Sequence, residues 1–105
     1  MKKRATIIVL DSCGIGYLPD AIEFGDIGAH TIGHVFASTG MRIPNMTALG
    51  IGNIKGSNLP RVYFPQAAYG RAMETTKAKD TTSGHWEMAG APVNFEWGYF
   101  PPAYP

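Results

Sequence analysis

The sequence predicts an α/β fold, and three observations carry that expectation. Residues 4–10 (RATIIVL) form an apolar, β-branched run with little alternation, the pattern of a strand covered on both faces. Asp11 follows at once, where ligands gather outside the carboxyl ends of parallel strands. The segment 79–90 (KDTTSGHWEMAG) opens a helix on four consecutive residues suited to an N-cap.

The elements follow in order. After the strand, residues 12–19 read as a loop at the strand's carboxyl end. Between residues 20 and 40, only 31–38 has helical spacing. Thr31 is placed to cap it and Ile32, Val35 and Phe36 share one face, against a cost of about 1 kcal/mol for Gly33 relative to alanine. Ile43 is extended before Pro44, residues 45–49 form a short helix, and Gly50 serves as a left-handed cap. Residues 58–74, punctuated by Pro60, Pro65 and Gly70, are expected as extended chain or a loose hairpin. A helix beginning among residues 80–84 continues through 85–89 and closes at Gly90. No internal repeat or low-complexity segment is present.

Composition narrows the function classes. Thirteen Gly and eight Pro in 105 residues are many for a compact domain, yet 45% hydrophobic and 16% charged residues argue against intrinsic disorder. A formal net charge of +1, with no like-charge block beyond Lys2, Lys3 and Arg4, leaves no footprint for nucleic acid or a membrane surface. The apolar part of residues 5–10 is far shorter than the ~20 residues of a membrane span and lacks a signal-peptide cleavage site. One cysteine, Cys13, excludes an internal disulfide framework, and a reducing, cytoplasmic compartment is expected. Residues 97–105 (WGYFPPAYP) offer no polar turn or charged cap, which reads as a chain cut mid-course.

The chemistry concentrates at 79–90. The unpaired amides and positive dipole end of a helix start favour phosphate, which makes Thr81 and Thr82 candidate nucleophiles or phosphate acceptors. Asp80, Thr82, Ser83 and Gly84 are candidate phosphate-binding residues, Gly84 through close backbone approach. A threonine hydroxyl needs a base or metal to become a nucleophile, and Asp11 is a candidate metal ligand. By spacing alone, two capped turns without chemistry fit the same residues.

Other candidates weigh less. His30 and His34 stand at i, i+4 without the glutamate of a zinc-protease motif. Gly14 and Gly16 lack the third glycine of a dinucleotide fingerprint. Trp86, Trp97, Tyr99 and Phe100 suit a core or interface better than a stacking platform, and Cys13 suits a small buried site.

Four segments together, 8–16 (IVLDSCGIG), 24–34 (FGDIGAHTIGH), 44–50 (PNMTALG) and 79–90, resemble phosphopentomutases in order and nearly throughout. The resemblance implies the N-terminal part of an alkaline-phosphatase-like three-layer α/β/α sandwich core, with residues 1–105 a partial catalytic core truncated near the crossing into an absent cap domain. It implies interconversion of ribose 1-phosphate and ribose 5-phosphate, and of the deoxyribose equivalents, in nucleoside catabolism. Thr81 is then the phosphorylated threonine and, with Asp11, a metal ligand. Two Mn2+ ions, with Mg2+ an alternative, and a sugar bisphosphate activator are implied as cofactors. The family's remaining Asp and His ligands fall downstream of this stretch, and Cys13 stands where the family usually has a bulkier or aliphatic residue. The chain alone is therefore expected to be inactive, as a remnant or as half of a split enzyme whose partner chain carries the missing ligands. A phosphatase or another phosphomutase of the same superfamily is the remaining alternative.

Overall fold

The computed structural model describes residues 1–78 and 80–95. The chain divides into two compact units, Met1–Arg71 and Ala72–Pro105. The first contains helices α1 (Ala21–Phe24), α2 (Thr31–Thr39) and α3 (Pro44–Leu49), the last running into a 3-10 turn at Ile51–Asn53. The second contains helix α4 (Thr81–Met88).

Among the described residues no strand forms, which corrects the expected strand at 4–10 and leaves the α/β layering without a sheet. Residues 1–13 are all exposed, with Ile7 and Ile8 at 81% and 82%. β-Branched composition suits a pleated, half-covered surface, but a strand exists only when a neighbouring strand completes its ladder. Residues 58–74 likewise pair with no strand. Their register is held by the Asn53 side chain, whose Nδ2 donates to the Val62 carbonyl at 2.8 Å while its Oδ1 accepts from the Val62 N–H at 2.9 Å. One amide side chain thus makes both bonds of a ladder pair.

Helix α2 matches the expected 31–38 and extends to Thr39, but Thr31 is its first helical residue and not its cap. His30 takes the cap position, with its ring engaged elsewhere and no side-chain bond to the helix start. Helix α3 starts one residue earlier than expected because Pro44, with its fixed φ and no N–H to leave unpaired, fits the first turn. Gly50 ends it in the left-handed region at φ 111°, donating to the Met46 and Thr47 carbonyls. The short helix α1 falls where the apolar pattern is too mixed to signal one. Of the apolar side chains described, Ala21, Ile32 and Leu59 are buried in the first unit and Val93 in the second.

Candidate functional site

The second unit is built around the start of α4. Asp80 sits in extended backbone as the N-cap, and its Oδ1 accepts from the Ser83 N–H at 2.8 Å. Its Oδ2 accepts from the Ser83 hydroxyl at 2.7 Å, and Ser83 is wholly buried. These bonds, the Ser83 N–H first, hold the Asp80 carboxyl below its ordinary value of 3.8, so it stays ionised. From four residues suited to capping, the structure selects Asp80. Thr81 and Thr82 are then exposed at the first two helical positions. Gly84 lies inside the helix with open space where a Cβ would stand.

Two further side chains fix this helix. The His85 Nδ1 lies 2.7 Å from the Thr81 carbonyl, and since a carbonyl only accepts, this nitrogen carries the proton. Glu87 accepts from the Thr75 N–H at 2.7 Å, the Thr75 hydroxyl at 2.5 Å and the Thr76 N–H at 3.0 Å. Those bonds, led by the Thr75 hydroxyl, lower its carboxyl from 4.5 to about 2. Thr76, nearly buried, in turn accepts from the Val93 N–H at 3.3 Å. Sequence reasoning missed Thr75, Thr76 and Glu87, because no spacing rule links a carboxylate to a pair of threonines eleven and twelve positions upstream.

Asp11 lies in the first unit, in a turn closed by the Cys13 N–H on the Leu10 carbonyl at 3.3 Å. Its carboxylate is exposed and accepts from the Ser12 hydroxyl at 3.4 Å. Cys13, expected as a small buried residue, is an exposed free thiol, because residues 4–10 gather no layer over it. Trp86 is 46% exposed, while Trp97, Tyr99 and Phe100 lie outside the described residues. The rings of His30 and His34 meet edge to face with centroids 5.9 Å apart. Among the described residues no three His, Cys, Asp or Glu side chains group to hold a metal ion. No helix of the described residues is long and apolar enough to cross a membrane.

No protein-family model matches the chain. Curated relatives named phosphopentomutase do, and the following three are among them. The Colwellia psychrerythraea protein is 50% identical over 109 residues, covering 92% of this chain and 27% of the relative. The Methylobacterium nodulans protein is 43% identical over 122 residues, covering 97% and 30%. The Alkaliphilus metalliredigens protein is 42% identical over 107 residues, covering 100% and 27%. The chain thus spans between about a quarter and a third of the length of these relatives, and across that span it belongs to the phosphopentomutase family.

Proposed function

We propose that the chain supplies the phosphoacceptor half of a phosphopentomutase active site, with Thr81 as the threonine that carries the phosphoryl group. The observation that carries this reading is the Asp80-capped start of α4, which exposes Thr81 and Thr82 in a sequence 42–50% identical to proteins of that name. The helix dipole favours an anion there, with the Ser83 amide already taken by the Asp80 carboxylate. By holding the Ser83 amide and hydroxyl, Asp80 fixes where the helix begins, which makes Thr81 its first residue.

The proposed substrate is a pentose phosphate. The substrate's C5 hydroxyl takes the phosphoryl group from phosphorylated Thr81: the new O–P bond forms, the bond to the Thr81 oxygen breaks, and the hydroxyl proton is released. The resulting bisphosphate returns its C1 phosphoryl group to Thr81, leaving the 5-phosphate. A sugar bisphosphate is therefore the natural primer of an unphosphorylated Thr81.

Asp11 is the proposed metal ligand of this chain, with Mn2+ or Mg2+ suited to its oxygen donor. Such an ion supplies charge neutralisation and activation of the hydroxyl when bound. One exposed carboxylate and the Thr81 hydroxyl do not make a two-metal site, and no group of three ligating side chains occurs among the described residues. The ionised Asp80 beside a phosphorylated Thr81 sets like charges side by side, which adds to the need for cations. Both units are read as parts of one catalytic core of the alkaline-phosphatase-like α/β/α type, in which residues 4–10 become a strand once neighbouring strands are supplied. The setting proposed is the cytoplasm, where a free exposed thiol such as Cys13 is tolerated.

The test is a chimera in which residues 1–105 replace the matching stretch of the Colwellia psychrerythraea relative. Conversion of ribose 1-phosphate to ribose 5-phosphate, with phosphate recovered on Thr81 by mass spectrometry, is the expected result. Phosphate release exceeding isomerisation would move the reading to a phosphatase, and phosphate on another residue would overturn it.

A further inference from the structure

The ring of His30 joins three separate stretches of the first unit. Its Nδ1 accepts from the Gly16 N–H at 3.1 Å, and its Nε2 lies 2.9 Å from the Ser57 carbonyl. An N–H can only donate and a carbonyl can only accept, so the two partners admit one protonation state: Nδ1 bare and Nε2 bearing the proton. The Nε2 end of the ring packs against Gly33, where an added Cβ would stand 2.1 Å from Nε2 and 2.3 Å from Cδ2. Gly33, costly inside a helix by propensity, is the floor this ring requires. The Ile32 N–H donates to the Gly14 carbonyl at 3.3 Å, a second tie between α2 and the same loop. Ser57 is itself anchored, its hydroxyl donating to the Gly52 carbonyl at 3.0 Å.

We infer that His30, as its Nε2–H tautomer, is a positioning residue that clamps the 14–16 loop to the Ser57 carbonyl and so sets the course of the chain that leaves Asp11. Only Ser12 and Cys13 separate Asp11 from Gly14, and that stretch already turns sharply, with Ser12 at φ 55° and the Cys13 N–H bonded to the Leu10 carbonyl. With its far end held by His30 and Ile32, this stretch has few ways to move. The consequence for metal ligation rests on the proposed role of Asp11, whereas the clamp itself does not.

The experiment uses the purified 105-residue chain labelled with 15N. Two-bond nitrogen–proton correlation reads the His30 tautomer directly, and amide exchange reads the Gly16 N–H. The expected result is an Nε2–H ring in the unsubstituted chain and Gly16 exchange about tenfold faster in His30→Ala, as for loss of a hydrogen bond. His30→Asn, whose Oδ1 can stand in for Nδ1, should return exchange to within about threefold, while Gly33→Ala should match His30→Ala although the imidazole is still present. If His30→Ala does not fold, the tautomer and the Asn and Gly33→Ala variants decide the matter. An Nδ1–H ring, or Gly16 exchange indifferent to these substitutions, overturns the clamp. Adding Mn2+ to the chimera, in which the relative supplies the ligands absent from the described residues, and following broadening of the signals of residues 11–13 separates the two readings. No broadening in any variant overturns the Asp11 assignment and leaves the clamp standing. Broadening that weakens in His30→Ala and returns in His30→Asn supports the positioning role, and broadening that His30→Ala leaves unchanged overturns it.

Discussion

Asp80 and Ser83 hold each other twice, the carboxylate taking the Ser83 N–H at 2.8 Å on one oxygen and the Ser83 hydroxyl at 2.7 Å on the other. A cap of this kind satisfies an orphan amide of the first turn and fixes which residue begins the helix. Ser83→Ala keeps the N–H bond and leaves Oδ2 without the hydroxyl, so α4 should lose about 1 kcal/mol of stability, read from amide exchange of residues 84–88. Asp80→Ala removes both bonds and should be the more damaging change. Equal effects would mean that the Ser83 N–H bond adds nothing beyond the hydroxyl contact.

Thr81 and Thr82 are adjacent and alike, yet only the first helical position is proposed to carry the phosphoryl group. In the chimera, Thr81→Ala should lower mutase turnover by about a thousandfold or more, the scale on which loss of a covalent nucleophile acts. Thr81→Ser should retain phosphorylation, and Thr82→Ala should leave phosphate on Thr81. Mass spectrometry of the phosphopeptide distinguishes the two threonines.

The local parts of this arrangement were legible because they are written in neighbouring residues. The spacing of Ile32, Val35 and Phe36 marks α2, Gly50 marks the end of α3, and four cap-forming residues announce α4. What depends on distant residues was not legible. The apolar run at 4–10 has strand composition but no partner among the described residues, and Glu87 finds Thr75 and Thr76 only through the fold. The Gly33–His30 contact belongs to the same class: sequence shows a helix-weakening glycine, and only the packed ring shows its reason. At the site, the residues of the helix start could be named from sequence. The proposed pairing of Asp11 with Thr81 had only a strand end and a helix start to suggest it, and the family resemblance made it specific, since seventy positions separate the two and no spacing rule connects them.

Glu87 should make the second unit acid-sensitive over a defined range. Its carboxyl is lowered from 4.5 to about 2 by the bonds from Thr75 and Thr76. A carboxyl depressed by folding contributes stability that is fully present above its unfolded value and is lost as pH falls through its folded one. Acid titration should therefore weaken the tie between residues 75–76 and α4 between about pH 4.5 and pH 2, with Asp80 acting in the same direction from 3.8 downward. Glu87→Gln should flatten this part of the transition, followed by the Thr75 and Thr76 amide signals. A transition centred well above pH 4.5 would refute the assignment.

Gly52 is enclosed by backbone. A Cβ there would stand 1.8 Å from the Pro60 carbonyl oxygen and 2.5 Å from its carbon, and neither can turn aside as a side chain could. Gly52→Ala should therefore destabilise the first unit by about 3 kcal/mol, at the upper end of ordinary overpacking. Because Gly52 also accepts the Ser57 hydroxyl, the His30 contact to Ser57 should loosen with it. Denaturant unfolding followed by the Gly16 and Ser57 amides measures both effects.

Gly84 presents the opposite case, and it separates stability from chemistry. It sits inside α4 with nothing within 4 Å of where a Cβ would be, so packing places no demand for glycine there. On propensity alone, Gly84→Ala should stabilise the helix by about 1 kcal/mol. The use proposed for a bare backbone at the third position after Thr81 is close approach by a bound phosphoryl group or sugar. The expected outcome is thus split: higher stability of the 105-residue chain, and lower phosphorylation of Thr81 and a raised KM for the pentose phosphate in the chimera. Higher stability with unchanged phosphorylation and KM would show that Gly84 is not approached by substrate. The ligand-facing side of α4 would then be confined to Thr81 and Thr82.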